Sequence, residues 1–67
     1  MTRLEAERLR RGLNQTTLAA KAKLSASDVS AFENRRKTPY PKQAQRVGRV
    51  LGLAASELLD PADLSRG

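Results

Sequence analysis

Apolar side chains recur along this chain at helical spacing, three and four residues apart. Nowhere do they alternate with polar ones as a half-buried strand would require. Thr2 and Glu5 have the spacing of a capping box, which predicts a first helix over about residues 3–11. Gly12 is its left-handed stop, and Leu13 folds back onto its last turn. Asn14 caps a second helix, about residues 15–22, with Leu18, Ala19 and Ala22 on one face. Ser25 and Asp28 repeat the capping-box spacing and open a third, about residues 26–33, whose only large apolar groups are Val29 and Phe32. After a basic loop over residues 34–40, Pro41 suits the first turn of a fourth helix. Ala44, Val47, Val50 and Leu51 form its buried stripe and Gly52 ends it. Leu53 returns to the core, and Glu57, Leu58 and Leu59 form a short fifth helix ahead of Asp60 and Pro61.

Composition agrees with an all-helical chain. Leucine and alanine dominate the apolar set, with three valines, no isoleucine, one Phe and one Tyr. The 67 residues suffice for one domain, expected over residues 1–60, with 61–67 as a tail that frays from Ala62. A chain of this size buries only about 60% of the surface exposed by its unfolded form, so a thin stability margin is expected. With no Cys and no His, a disulfide is impossible and the usual zinc ligands, general base and thiol nucleophile are missing. The expectation is a protein that is no enzyme and needs no cofactor or metal. No uncharged run approaches a membrane span or a signal-peptide core, so a soluble cytoplasmic chain is expected.

Charge changes the picture more than composition does. Residues 1–33 carry six basic and four acidic groups, a balance of +2. Residues 34–56 hold Arg35, Arg36, Lys37, Lys42, Arg46 and Arg49 with no acid, a balance of +6, and the remainder sums to −2. A stretch of one sign suits a phosphate backbone or an anionic membrane, although a solvated face without a partner accounts for it equally well. The third helix tips the balance. Opposite Val29 and Phe32 it carries the small groups Ala26, Ser27, Ser30 and Ala31, where a solvent-facing helix would carry long Glu and Lys chains. A face of short side chains suits close approach to another surface, and a major groove is wide enough to admit such a helix.

Residues 2–59 resemble the lambdoid phage repressor/Cro-type (Xre-type) helix-turn-helix family. The resemblance lies in Gly12-Leu13-Asn14-Gln15, Leu18-Ala19, Ala22, Leu24-Ser25, Val29, Phe32-Glu33-Asn34, Pro39, Leu51-Gly52-Leu53 and Glu57-Leu58-Leu59. It implies a compact five-helix fold of the lambda-repressor kind. Lys23 and Arg35 stand where the family often has glycine, and Ala54 where it commonly caps the fifth helix with Ser or Thr.

By the resemblance, Gln15, Ala26, Ser27 and Ala31 are the base-contacting residues. Alanine can touch a thymine methyl and serine can bond a base edge. Their plainer reading is an exposed first-turn glutamine and good helix fillers. Asn14, Gln15, Ser25, Asn34, Arg35, Arg36, Lys37 and Lys42 are the implied phosphate contacts. Asp28 would be repelled by phosphate and is assigned to the cap. Arg8 and Glu33 match a partly buried ion pair of the family, with a local Arg8–Glu5 pair as the simpler option. Tyr40 either packs on the core or meets a second subunit, and Tyr40, Ala55, Leu58 and Leu59 are the expected homodimer interface.

The function these residues imply is repressor-like, sequence-specific binding of double-stranded DNA at a palindromic operator, in the cytoplasm and at the nucleoid. One alternative is an antitoxin or accessory subunit that also binds a toxin or other regulatory protein. Another is a protein-interaction module whose basic face is incidental.

Overall fold

The computed structural model describes residues 1–62. It contains four α-helices: α1 (Arg3–Arg10), α2 (Gln15–Lys21), α3 (Ala26–Glu33) and α4 (Pro41–Leu51). A single 3-10 turn, Ala55–Glu57, follows them. The expected fifth helix is therefore corrected to that turn. Ala54 offers no side-chain cap; the turn is held by the Glu57 carboxylate, which accepts the Ala54 amide at 2.9 Å, and by the Glu57 amide, which donates to the Ala54 carbonyl at 2.9 Å. Leu58 and Leu59 lie beyond it.

Every helix contributes to one core. Leu4 comes from α1, Leu18 and Ala19 from α2 with Ala22 at its cap, and Val29 and Phe32 from α3. Ala44, Val47 and Leu51 come from α4, and Leu58 from the segment after the turn. Helix α3 packs on α2, while α4 packs against both α1 and α2. Helices α2 and α3 are about two turns each, too short to persist alone, so this burial is what keeps them helical.

The first turn of α1 is satisfied by the far end of the chain. Arg3 and Leu4 donate their amides to the carbonyls of Asp60 (2.9 Å) and Leu58 (3.0 Å). Glu5 donates to the Thr2 hydroxyl at 3.1 Å. Only the threonine half of the expected Thr2/Glu5 box is made, because the Asp60–Ala62 backbone occupies this end of the helix and Ala62 donates to the Met1 carbonyl at 2.8 Å. The expected fraying of the tail otherwise falls on residues 63–67, outside the described residues.

All four helices end in the same way. A left-handed residue follows each: Gly12 (φ 71°), Lys23 (φ 59°), Arg35 (φ 57°) and Gly52 (φ 70°). The next amide then bonds back five residues, as in Leu13 to Arg8 (3.1 Å), Leu24 to Ala19 (2.8 Å), Arg36 to Ala31 (2.8 Å) and Leu53 to Gly48 (2.9 Å). Lys23 and Arg35 adopt without glycine a conformation that costs an L-residue about 1–2 kcal/mol.

Two substitutions test this backbone. Lys23→Gly should raise stability in urea melts by up to about 1 kcal/mol, since the strain outweighs glycine's extra unfolded-state entropy; an unchanged midpoint would mean the turn is unstrained. Gly48→Ala should lower stability by about 1–3 kcal/mol despite alanine's better helix propensity. A Cβ there would lie 2.4 Å from the Leu53 carbonyl oxygen, which is backbone and cannot swing away.

Candidate nucleic-acid interface

One buried ion pair sets the geometry of the α2–α3 unit. Arg8 donates to both Glu33 carboxylate oxygens, from Nε at 2.6 Å and from Nη2 at 3.1 Å. Its Nη1 donates to the Leu13 carbonyl at 2.8 Å, and Gln15 Nε2 donates to Glu33 Oε1 at 3.0 Å. The side chains of Arg8 and Glu33 are only 9% and 3% exposed. The cross-helix pair is therefore formed, and not the local one with Glu5. Among the described residues no buried side-chain N or O atom lacks a partner.

The N-terminal ends of α2 and α3 are built by caps the sequence announces. Asn14, exposed, accepts the Thr17 amide through Oδ1 at 2.7 Å, a bond that does not use its Nδ2 donors. Ser25 and Asp28 form both halves of a capping box, at 3.1 and 3.4 Å. The Ser25 amide, followed by its hydroxyl and then by nearby Lys37, holds the Asp28 carboxyl below its ordinary range. Lys37 reaches Asp28 at 3.6 Å and so tethers the basic loop to α3.

The predicted contact residues are distributed unequally. Asn14, Ser25, Ser27, Asn34, Arg35, Arg36, Lys37 and Lys42 are exposed, while Gln15, Ala26 and Ala31 are half-buried. Asn34 donates to Ser30 Oγ at 3.3 Å, and Arg35 donates to the Leu59 carbonyl at 3.2 Å. Arg36 and Lys42 make no side-chain bond among the described residues, which leaves their charges free for an anion.

The expected interface set divides. Tyr40 is 74% exposed and does not pack on the core. Ala55 is exposed and Leu59 half-buried. Leu58 is 1% exposed inside the core of this single chain. The interface role expected of Leu58 is thus corrected: its side chain has no surface left to offer a second copy.

Three supporting residues were not singled out from the sequence. Arg46 donates to the Ala22 carbonyl at 2.9 Å and Arg11 to the Leu51 carbonyl at 3.1 Å, each closing a helix end. Gly48 admits the Leu53 backbone against α4. Arg11, at the end of the expected first helix, carried the signal of a basic helix terminus, whereas Arg46 lies in the middle of α4 and carried none; residue type does not say which helix end a long side chain reaches.

No described helix is long and apolar enough to cross a membrane. The helix-turn-helix family matches the chain over residues 4–58. No curated protein and no solved structure matches it.

Breaking the central pair should be severe. Glu33→Ala leaves a buried guanidinium without its counter-charge and should cost about 3–5 kcal/mol in thermal or urea melts. Arg8→Met combined with Glu33→Leu should recover more than half of that loss, because neither charge is then stranded. The Asp28 cap gives a pH dependence. Its lowered pKa contributes stability that is present above the ordinary carboxylate pKa and is lost as pH falls through the folded value. Asp28→Asn should therefore flatten the acid limb of the stability curve below about pH 4, measured as melting temperature against pH.

Proposed function

The chain belongs to the helix-turn-helix family, in its Xre or lambda-repressor type, and from that membership we propose a sequence-specific, repressor-like transcriptional regulator that binds a palindromic operator as a homodimer. The family is one of DNA-binding regulatory domains and not of enzymes. One observation carries the finer reading: the outward side of α3 bears Ala26, Ser27, Ser30 and Ala31, and Arg36, in the loop after α3, and Lys42, in the first turn of α4, are exposed and form no ion pair among the described residues. Short side chains let the helix backbone approach base edges, while the two cations neutralise phosphates.

In this reading Ser27 bonds a base edge from the first turn of α3, Ala26 and Ala31 meet thymine methyl groups, and Gln15 contacts backbone or base from the start of α2. Asn14, Ser25, Asn34, Arg35, Arg36, Lys37 and Lys42 grip phosphates. None of the base-facing residues is a bidentate reader such as Arg on guanine, so DNA shape supplies part of the specificity. Tyr40, Ala55 and Leu59 form the dimer contact, and the protein works in the cytoplasm at the nucleoid.

The test separates grip from reading. Arg36→Ala or Lys42→Ala should weaken binding to every duplex alike and reduce the slope of log affinity against log salt by about one per lost contact. Ser27→Ala should alter preference at one base position per half-site by about 1 kcal/mol with the slope nearly unchanged. Changed base preference in the Arg36 and Lys42 variants, with none in Ser27→Ala, would overturn this docking of α3. Sedimentation should find two chains per operator, on half-sites about 34 Å apart; one chain per site would remove the dimer.

A further inference from the structure

Four cations that the DNA-binding reading does not use line a separate cleft. Lys21 and Lys23 at the C-terminal end of α2, and Arg46 and Arg49 in the second half of α4, surround about 390 Å3 together with Val50. Of the proposed phosphate contacts, Ser25 lies two residues beyond Lys23, at the start of α3, while Asn14, Gln15 and Lys42 sit at the opposite, N-terminal ends of α2 and α4. At 1.5 Å rise per residue, about 9 Å of helix separates Gln15 from Lys21, and about 10 Å separates Lys42 from Arg49.

Among the described residues no carboxylate neutralises this cleft. The ion pairs among the described residues engage Arg3, Arg8, Arg10, Arg11 and Lys37, and none reaches Lys21, Lys23 or Arg49. Arg46 gives its Nε to the Ala22 carbonyl, which fixes the guanidinium at the wall while its other donors stay available.

The chemistry of the lining distinguishes it from a phosphate site. At the N-terminal ends of α2 and α3, hydroxyl and amide side chains stand beside helix amides, a setting that suits phosphate oxygens. Here α2 ends in carbonyl groups, no hydroxyl or amide side chain lines the cleft, and its only apolar residue, half-buried Val50, packs on the core. Methylene stems of long cations extend such an apolar floor while their charged ends remain at the rim. An apolar side chain flanked by carboxylates satisfies both parts; a phosphodiester backbone would cover the valine with charge.

The geometry points to this cleft as the docking surface for an acidic, leucine-bearing segment of a partner protein, one that engages the chain while the α3 face stays open. Leucine rests on Val50 and the aliphatic stems, and the flanking carboxylates meet Lys21, Lys23, Arg46 and Arg49. Charge complementarity of this kind speeds encounter and selects the partner's sign.

The probe is a short acetylated peptide of alternating aspartate and leucine, titrated into the isotope-labelled chain and followed by amide shifts. Shifts should map to Lys21, Lys23, Arg49 and Val50. The same peptide with serine for leucine should bind at least several-fold more weakly. Lys21→Gln with Arg49→Gln should weaken the leucine peptide about tenfold, and Arg49→Gln alone should give a smaller loss in the same direction, each in a chain whose melting shows it folded. Equal binding of the serine peptide, or shifts lying elsewhere, would overturn the proposal. So would cleft shifts produced by a random-sequence duplex, which would assign the cleft to nucleic acid instead.

Discussion

The structure depends on the buried pair of Arg8 and Glu33. It joins four places that the chain reaches separately: the end of α1, the Leu13 carbonyl in the first turn, Gln15 at the start of α2, and the last residue of α3. Two ions taken out of water are stabilising only when geometry is close and their remaining donors and acceptors are filled. Both conditions hold, with a two-point Arg–carboxylate contact and further bonds to a backbone carbonyl and a side-chain amide. Helices α2 and α3 are too short to hold their own orientation. The apolar core brings them together, and the pair adds direction to a contact that hydrophobic burial alone leaves non-directional. Glu33 also accepts from Gln15 and is the last residue of α3, where the basic loop begins, so the internal constraint also arranges the outward face.

The shared helix ending shows where the fold gives way to the surface. Three of the four left-handed turns are followed by a leucine that packs on the core, namely Leu13, Leu24 and Leu53. After α3 the equivalent position is Arg36, which is exposed. Here the hydrophobic contact that commonly accompanies such a turn is replaced by a charge aimed at solvent. The loop is held instead by polar ties, Lys37 to Asp28 and Arg35 to the Leu59 carbonyl. Strain at Lys23 and Arg35 persists because the surrounding helices fix both turns.

Much of this was legible because it is local. Ser25 with Asp28, Asn14, Pro41, and the stops at Gly12 and Gly52 all act over a few residues, and their spacing appears directly in the chain. The Arg8–Glu33 pair is not local, and only resemblance to a family made it visible. Where distant segments compete, the pattern misled. Glu5 leaves the Thr2 box half-made where the Asp60–Ala62 backbone takes up the start of α1, and Leu58, in an apparent fifth helix, is consumed by the core. The close approach at Gly48 and the reach of Arg46 and Arg11 depend on how helices cross, which residue spacing does not encode.

The central claim is that these internal constraints present α3 as a reader of DNA sequence. Selection of duplexes from a random pool by the unmodified chain, at physiological salt, tests it most directly. The account predicts enrichment of a two-fold symmetric site whose half-sites lie one helical turn apart, with modest preference at each position because the reading side chains are small. A pool that stays random after repeated rounds, with binding that disappears as salt rises, would contradict it.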